Sequence, residues 1–266
     1  MKFTLGSDPE LFLINKNNKY ISSIGKIGGS KKQPLPISEL GEGFCVQEDN
    51  VAVEFNIPPA SSEDAFVLNL SKMLEHLENK ARGMGLRLAV DASARFDLDE
   101  LNNPNALEMG CDADFNAWTG DQNPKPNASD KQLRSCGGHV HIGTDLDAIS
   151  VIRACDLFLG VPASLFDTDT RRRALYGSAG AFRWTSFGCE YRVLSNAWLK
   201  SPDRMRWVHR QTAKALALVA TQKDAVEEQT FLDDYADDIV AAINTGNEDA
   251  RLRLNMVFNI LEGSPT

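Results

Sequence analysis

Three segments that alternate like β-strands carry ionisable side chains on the face opposite their apolar residues. Successive side chains of a strand point to opposite faces, so residues two apart share a face. The segments are residues 51–57, 139–142 and 190–193. The pairs that share a face are Glu54 with Asn56, His139 with His141, and Glu190 with Arg192, and Asp8 and Glu10 have the same spacing near the N-terminus. These segments are the first candidates for a chemical site.

The residue types in these pairs suit divalent cations and phosphate. Carboxylate oxygens with an occasional imidazole favour Mg²⁺ or Mn²⁺ over zinc, and a guanidinium among them suggests a phosphate group. Each pair taken alone is also explained by a solvated strand face or, for Glu190 and Arg192, by an ordinary ion pair. Four separated segments would each have to place such groups on a polar face by chance. The joint pattern therefore favours a metal and phosphate site.

Three basic residues and one amide are weaker candidates for binding a nucleotide or substrate. Lys31 lies in the glycine-containing run 28–32, which lacks the full phosphate-loop pattern, so a solvated turn is the simpler explanation. Arg134 precedes the histidine segment, where it could reach substrate or hold an exposed structural position. Arg173 is the choice if one arginine of the run 171–173 points inward, the alternative being a solvated helix face. Asn56 joins them because it shares a face with Glu54.

Composition and charge narrow the class of protein and its partners. The 266 residues are 42% hydrophobic and 24% charged, close to the average for globular proteins. The net charge of -9 opposes non-specific attraction to nucleic acid or anionic lipid. Five scattered cysteines without a CxxC spacing indicate free thiols in a reducing compartment. No apolar run approaches the ~18 residues that span a bilayer, so we expect a cytoplasmic protein that binds neither nucleic acid nor membrane.

The elements that position these residues follow from periodicity and from residues that break it. Residues 1–60 predict strands and turns, and Ser61 or Ser62 can cap a helix that ends near residues 83–85. Further expected elements are strands at 86–90, 136–142 and 188–194, a helix at 146–159, and mostly amphipathic helix from residue 202 onward. No internal repeat or interdomain linker is visible, so we expect a single domain over residues 1–266, in which 201–266 is a helical extension.

A long segment with weak periodicity, residues 91–134, separates two of the expected strands. Connections of this length are usually functional. Cys111, Asp112, Asp114 and Trp118 lie near one another in it and would suit an amine. We therefore expect this segment to border the site and to contribute to the choice of an acceptor.

The motif order resembles that of the carboxylate-amine ligase superfamily, which includes glutamine synthetase and γ-glutamylcysteine synthetase. The matching runs, in chain order, are GSDPELFL at 6–13, EDNVAVEFN at 48–56, GGHVHIG at 137–143 and EYR at 190–192. More closely, the chain resembles the phage phiEco32-like COOH-NH2 ligase type 2 group, to which Arg173, Tyr176-Gly177, Gly180 and the runs 182–183 and 188–192 also correspond. The resemblance leaves the helical C-terminal part uncovered.

This resemblance implies a fold and an activity. The fold is α+β: a curved, mainly antiparallel sheet of glutamine synthetase-like catalytic type, with helices packed on its outer face and a helical C-terminal part. The activity is an ATP- and Mg²⁺- or Mn²⁺-dependent ligation of a small carboxylate, such as an amino acid or peptide, to an amine through an acyl phosphate. Its partners would be small-molecule substrates, and a phage-encoded enzyme of this kind would work in the host cytoplasm.

The resemblance also implies roles for individual residues. The expected metal ligands are Glu10, Glu54, His139 and Glu190, with Asp8 and His141 as further candidates. Arg192 resembles the arginine that neutralises the transferring γ-phosphate, and Arg183 resembles a phosphate or substrate-carboxylate contact. Arg192, Arg183 and Glu54 are therefore the expected catalytic residues. Metal ions and guanidinium groups can screen the repulsion between a carboxylate and ATP, which agrees with these roles.

Two other classes of function stay open, together with one departure from the family pattern. A non-catalytic or virion-associated protein could keep the fold, although retention of every acidic, histidine and arginine position argues against it. A metal-dependent phosphotransferase could use the same fold and would release a phosphorylated product without an amine. Glutamine synthetases have a paired Glu-x-Glu where this chain has Asp8-Pro9-Glu10, which leaves the number of metals and the role of Asp8 open.

Overall fold

Segments in which apolar and polar residues alternate form β-strands, and neighbouring strands are antiparallel. The computed structural model describes residues 2–107, 114–124, 130–173, 175–222 and 232–265. Within them the strands are β1 (Thr4–Ser7), β2 (Glu10–Asn15), β3 (Tyr20–Ile21), β4 (Leu35–Pro36), β5 (Cys45–Asp49), β6 (Ala52–Ala60), β7 (Leu86–Ala89), β8 (Ser93–Arg95), β9 (Phe115–Asn116), β10 (Leu133–Ser135), β11 (Val140–Gly143), β12 (Ala181–Thr185) and β13 (Gly188–Tyr191).

The helices of the described residues follow the predicted pattern in outline. They are α1 (Glu63–Gly83), α2 (Pro104–Leu107), α3 (Ala148–Cys155), α4 (Val161–Ala163), α5 (Thr170–Arg173), α6 (Pro202–Gln222), α7 (Ala236–Thr245) and α8 (Glu248–Phe258). The first of them, α1, begins as predicted: Ser62 is its N-cap and accepts a hydrogen bond from the Ala65 amide. Its apolar stripe, which includes Phe66 and Leu70, is fully buried.

Eleven strands form one sheet, and all pairings between its named strands are antiparallel. The main order is β3-β2-β6-β1-β11-β13-β12-β9, with β4, β5 and β7 attached off this path. The remaining two strands, β8 and β10, pair with each other. This order places the N-terminal strand β1 in the middle of the sheet, between β6 and β11, which come from distant parts of the chain.

Helices cover one face of this sheet. Helix α1 packs on β6 and β7, α3 packs on β12 and β13, and α6 lies against α1 and α3. The apolar side chains of the central strands point into this layer, and they join a continuous buried core that extends along the chain from Leu5 to Ile260. That shared core supports the expectation of a single domain, which stays a prediction. The polar side chains of the same strands lie on the opposite face, where the candidate site forms.

Two predicted strands and one predicted loop differ from the structure. The strand expected from residue 136 begins only at Val140, because the Gly137 carbonyl accepts from the Glu10 amide and the Gly138 amide donates to the Leu194 carbonyl, outside the ladders of this strand. The strand expected through residue 194 ends at Tyr191, because the next carbonyl oxygens accept hydrogen bonds from the Arg172 side chain. Residues 91–134 are not a simple loop, since the described parts hold several short strands and helical turns.

The helix expected at 146–159 is interrupted by a π-helical turn. Helix α3 ends at Cys155, and residues Asp156–Gly160 form a π turn before α4. The Val161 amide donates to the Asp156 carbonyl, five residues earlier, and Pro162 has no amide hydrogen with which to continue an α-helical ladder. No helix among the described residues has the length and apolar character needed to cross a membrane.

Candidate active site

The first group of metal-binding side chains lies where β2, β5 and β6 run side by side. Glu10 on β2 is directly opposite Glu54 on β6, so the two carboxylates share the face away from the helices. Asp49 at the end of β5 completes a group in which one oxygen of each carboxylate lies within 4.8 Å of the others. The Gln47 amide donates to Glu54 at 2.8 Å, and the Gly137 amide donates to Glu10 at 2.7 Å.

The second group lies on the same face, where β1, β11 and β13 are adjacent. It consists of Asp8, His139 and Glu190, whose ligand atoms also lie within 4.8 Å of one another. His139 Nδ1 is 3.4 Å from Asp8 and 3.4 Å from Glu190. His141 pairs in register with Glu190, and its Nε2 is 3.2 Å from Asp8. The Ser7 hydroxyl donates to the His139 carbonyl at 2.5 Å, which fixes the backbone on which both imidazoles depend.

Two glycines before the histidine strand are required by close approach. A Cβ atom on Gly137 would overlap the His139 imidazole. A Cβ atom on Gly138 would overlap the Ser195 carbonyl and lie 2.5 Å from the Trp198 indole nitrogen. The GGHVH run is therefore a packing requirement of the imidazole position, because any side chain here would displace it.

Two arginines approach the second group from β12 and from the end of β13. Arg192 is 3% exposed and contacts Glu190 through Nη1, while its Nε donates to Asp114 at 3.2 Å. Arg183 lies opposite Glu190 in the ladder, with Nη1 at 3.7 Å from the Glu190 carboxylate. Glu190 is thus shared between an imidazole and two guanidinium groups, a setting suited to phosphate chemistry beside a cation.

The pKa values of the first group show how strongly its carboxylates repel one another. Burial raises the pKa of Glu54 well above its ordinary value, and the neighbouring charges of Asp8, Glu10 and Asp49 raise it further. Burial also raises the pKa of Glu10, partly offset by His139. A divalent cation among these oxygens would remove that repulsion.

The second group has the opposite balance. Burial alone would raise the pKa of Asp8, but the charge of His141 and hydrogen bonds with both imidazoles hold it well below its ordinary value. The pKa of His141 is raised, because its attraction to Asp8 outweighs its burial. Since Asp8 influences Glu54 and His139 influences Glu10, the two groups belong to one electrostatic site.

The sequence predicted a single metal cleft lined by Glu10, Glu54, His139 and Glu190. The structure brings these four to one face of the sheet but divides them between two groups. Asp8, which the sequence left open, lies in the second group, and sequence reasoning missed Asp49 in the first. Its signal was available, since Asp49 lies in the quoted EDNVAVEFN run and is two residues from Gln47, which directly precedes that run. The ligand roles of the predicted residues stay predictions, Asp49 is a further candidate, and the oxygen-rich donors fit Mg²⁺ or Mn²⁺.

The second half of the chain resembles a family of ligases. Residues 129–256 match the family model described as phage phiEco32-like COOH.NH2 ligase-type 2. This match confirms the resemblance drawn from the sequence motifs, and it extends into the C-terminal helices that the motifs left uncovered. No curated protein matches the chain significantly.

Solved structures align with this chain at low sequence identity, and the first of them shares its fold. The structure described as "Apo GmaS without ligand" aligns with a TM-score of 0.51 and 14% identity, over 99% of this chain and 65% of that chain. The structure described as "GmaS/ADP complex-Conformation 1" aligns with a TM-score of 0.49 and 13% identity, over 100% of this chain and 66% of that chain. The chain spans about two thirds of the length of these proteins. The predicted fold class, a mainly antiparallel sheet with helices, is confirmed.

The weaker candidates lie outside the two groups of metal-binding side chains. Lys31 is exposed in a turn where Ser30 and Gln33 form a bridge. The buried Arg134 side chain donates to Asn50 Oδ1 at 3.1 Å and to three backbone carbonyls, including Ala106 at 2.7 Å, so its geometry favours a structural role. Asn56 lies two residues beyond Glu54 on β6, as predicted from its spacing, and its substrate role stays a prediction.

The basic run 171–173 needs one correction. The arginine most deeply inside is Arg172, which is 1% exposed, rather than Arg173. Arg172 donates to the carbonyls of Cys136, Val193 and Leu194, so it ties the segment before the histidine strand to the segment after Arg192. Arg173 is also largely buried, 3.5 Å from Asp167. Both of these arginines of the helical turn point inward, because Arg172 donates to backbone carbonyls and Arg173 lies near the buried Asp167 carboxylate.

The predicted acceptor segment reaches the site through one residue that the structure describes. Asp114 contacts Arg192, which places the start of β9 at the border of the second group. Trp118 instead points into the protein and donates to Asp156 at 2.7 Å. Cys111 and Asp112 lie outside the described residues. The role of the segment in choosing an acceptor stays a prediction.

Proposed function

We propose that this chain is an ATP- and Mg²⁺-dependent ligase that joins a small carboxylate to an amine through an acyl phosphate. The observation that supports it best is the joining of two oxygen-rich groups with Arg192 and Arg183 on one polar face of the sheet. The match of residues 129–256 to a COOH.NH2 ligase family supports the same class of reaction.

The two groups would each hold a divalent cation: Glu10, Asp49 and Glu54 one, and Asp8, His139 and Glu190 the other. When bound, such cations supply charge neutralisation for the phosphates of ATP. The carboxylate oxygens that make up most of both groups, with one imidazole and no sulfur donor in the described groups, favour Mg²⁺ or Mn²⁺.

The arginines would act on the phosphoryl group being transferred. A carboxylate oxygen of the substrate attacks the γ-phosphorus of ATP, ADP leaves, and the acyl phosphate forms. Arg192 and Arg183 would stabilise the negative charge on the transferring phosphoryl group. Electrostatic stabilisation of this kind is usually the largest contribution to such catalysis. The amine then attacks the acyl carbon, phosphate leaves, and the nitrogen loses a proton.

Asp114 is the residue that we propose for the amine side of the reaction. It is the described carboxylate of the 91–134 segment that contacts Arg192, and its side chain is 18% exposed, so a substrate can reach it. Asn56 and Lys31 are proposed to contact the nucleotide or the substrate. Arg134 and Arg173 are proposed to assist this binding indirectly, by supporting the protein around it, because both already contact protein groups.

The test follows ADP and product mass together. The protein is incubated with ATP, Mg²⁺ and a panel of carboxylates and amines, with Glu190→Gln as an inactive control and Asp145→Asn, an exposed residue away from both groups, as a matched active control. The proposal predicts ADP and an amide in equal amounts. ADP with a stable phosphorylated carboxylate would identify a phosphotransferase, and no ATP turnover with any pair would favour a non-catalytic protein.

A further inference from the structure

A fully buried carboxylate lies behind the candidate site, on the helical side of the sheet. Asp156 opens the π turn after α3 and has no exposed surface. It accepts three hydrogen bonds: from the Tyr191 hydroxyl at 2.8 Å, from the Trp118 indole at 2.7 Å and from the Gly180 amide at 2.6 Å. The three donors come from three separate segments of the chain.

Burying the Asp156 carboxylate destabilises the folded state unless its oxygens accept hydrogen bonds. Moving a carboxylate out of water is among the largest unfavourable terms in folding, and an apolar residue of similar size would avoid it. All three groups that contact it here are donors, so the site is built for an acceptor. Asp156 belongs to neither of the two groups of metal-binding side chains, so the proposed chemistry alone does not explain why it is buried here.

One route leads from Asp156 to the catalytic face through β13. Tyr191 lies between Glu190 and Arg192, and alternation sends its side chain through the sheet to Asp156 while its neighbours face the site. A fixed Tyr191 hydroxyl therefore limits the rotation and sliding of the strand end that carries Arg192. A Cβ atom on Gly160 would lie 2.6 Å from that hydroxyl, so the π turn leaves just enough room for it.

A second route leads through the loop after β9. Trp118 donates to Asp156, and Arg153 donates to the neighbouring Ala117 carbonyl at 2.8 Å, which together fix the loop. Four residues before Trp118, Asp114 accepts a hydrogen bond from Arg192 Nε. Gly180 packs against the loop so closely that a Cβ atom there would lie 2.7 Å from the Trp118 ring. The carboxylate that holds one side of Arg192 is thus itself held through Trp118.

We propose that Asp156 is a positioning residue for Arg192, acting through Tyr191 on β13 and through Trp118, which follows the two-residue strand β9 that Asp114 precedes. The kinetic part of this inference rests on the proposed function, because it takes Arg192 to act on the transferring phosphoryl group. The structural part does not, because it concerns the placement of two side chains.

The kinetic test uses variants that each change one member of this hydrogen-bonded set. Tyr191→Phe removes the donor hydroxyl and keeps the ring, Trp118→Phe removes the donor N–H and keeps a smaller aromatic ring, and Asp156→Asn keeps the shape of the acceptor. Since a misplacement of about 1 Å can cost ~10²-fold in rate, we expect kcat to fall ~10-fold or more in each single variant. The KM for ATP should stay within about threefold, because Arg192 acts mainly in the transition state. The pair Asp156→Asn with Trp118→Phe should cost less than the product of the single losses, since both act through one carboxylate.

Tyr20→Phe is the matched control. Its hydroxyl also donates to an aspartate, Asp91, at 3.0 Å, at the other end of the sheet. We expect it to lower the unfolding temperature by less than Tyr191→Phe, because its hydrogen bond is only partly buried, and to leave kcat unchanged. If Tyr191→Phe and Trp118→Phe also keep kcat within about twofold of wild type, Asp156 serves only the stability of the fold and the inference is wrong.

Crystal structures of the same variants decide the structural part without any assay of turnover. We expect the Asp114 carboxylate to leave Arg192 Nε in Trp118→Phe and the guanidinium to move in Tyr191→Phe. Unmoved Asp114 and Arg192 side chains in both variants would overturn the inference. A wild-type protein without turnover, combined with displaced side chains in the variants, would reject the proposed function and retain the positioning role.

Discussion

Arg192 is held by two carboxylates from different parts of the chain, Glu190 on β13 and Asp114 directly before β9. Both contacts are made through the planar guanidinium, which lysine cannot reproduce. Arg192→Lys keeps the charge and removes the fork, so we expect turnover to fall ~10³-fold while the affinity for ATP changes by a few fold. The measurement is ADP formation with carboxylate present, alongside direct ATP binding. Survival of turnover within a few fold would make Arg192 a structural partner of Glu190 and pass the phosphate role to Arg183.

Asp156 gives the protein a predictable pH dependence. Burial raises its pKa from 3.8 to about 7, with the hydrogen bonds from Trp118, Tyr191 and Gly180 and the charge of Arg173 opposing the rise. The unfolded chain releases this proton near pH 4 and the folded chain near pH 7, so between these values the folded state binds more protons. Its contribution to the free energy of unfolding therefore falls as pH rises through that window, and levels off above it.

The comparison of wild type with Asp156→Asn isolates this contribution. Denaturant unfolding from about pH 4 to about pH 8 should show wild type losing stability relative to the variant, by at most ~1.4 kcal/mol per pH unit. The difference should become constant above pH ~7. A difference that does not change with pH would mean that Asp156 has the same pKa folded and unfolded.

At the scale of elements, Glu48 shows how a strand holds a glycine-rich turn. Its carboxylate accepts hydrogen bonds from four successive backbone amides, Gly25 to Gly28, at 2.8 to 3.1 Å. Glu48→Gln replaces one acceptor oxygen by an NH₂ group that faces these amides. We expect a loss of ~2 kcal/mol in the free energy of unfolding, since hydrogen bonds to charged groups are worth ~1.5 to 3 kcal/mol each.

The matched control for this variant is Glu75→Gln on the exposed face of α1, which should change stability by less than ~0.5 kcal/mol. Both free energies come from denaturant unfolding at one pH. Equal losses in the free energy of unfolding for the two variants would show that the hydrogen bonds from the turn to Glu48 add no net stability over hydrogen bonds to water. A second readout is the affinity for Mg²⁺, because Asp49 adjoins Glu48 and would shift if the strand loosened.

The elements also show where sequence patterns succeed and fail. Alternation placed Glu54, His141 and Glu190 on polar strand faces, because a half-buried strand must separate its two kinds of side chain. The same pattern could not reveal the π turn at Asp156, since it depends on how Val161 and the proline after it meet the end of α3. Nor could it show that Arg172 would be drawn inward by carbonyl oxygens distant in sequence.

At the scale of the whole molecule, the site depends on the order of strands. Glu10 and Glu54 are 44 residues apart, and Asp8 and Glu190 are 182 apart, yet antiparallel pairing brings each pair to one face. The motif resemblance predicted that these residues belong together. It could not divide them into two groups, because that division follows from β5 lying beside β6 and β1 lying beside β11.

In the first group, Glu10, Asp49 and Glu54, we expect Asp49→Asn to have opposite effects on thermal stability with and without a divalent cation. Asp49→Asn removes a negative charge that raises the pKa of Glu54, so without divalent metal it should relieve repulsion and raise the unfolding temperature. With saturating Mg²⁺ the order should reverse, because a cation stabilises the folded state by an amount set by its affinity, and the variant has lost a ligand. Thermal unfolding of wild type, Asp49→Asn and the exposed control Asp145→Asn, each in EDTA and in Mg²⁺, measures both signs. If Mg²⁺ raises the unfolding temperature of Asp49→Asn as much as that of wild type and of the control, Asp49 holds no cation, and Glu10 and Glu54 would need another partner.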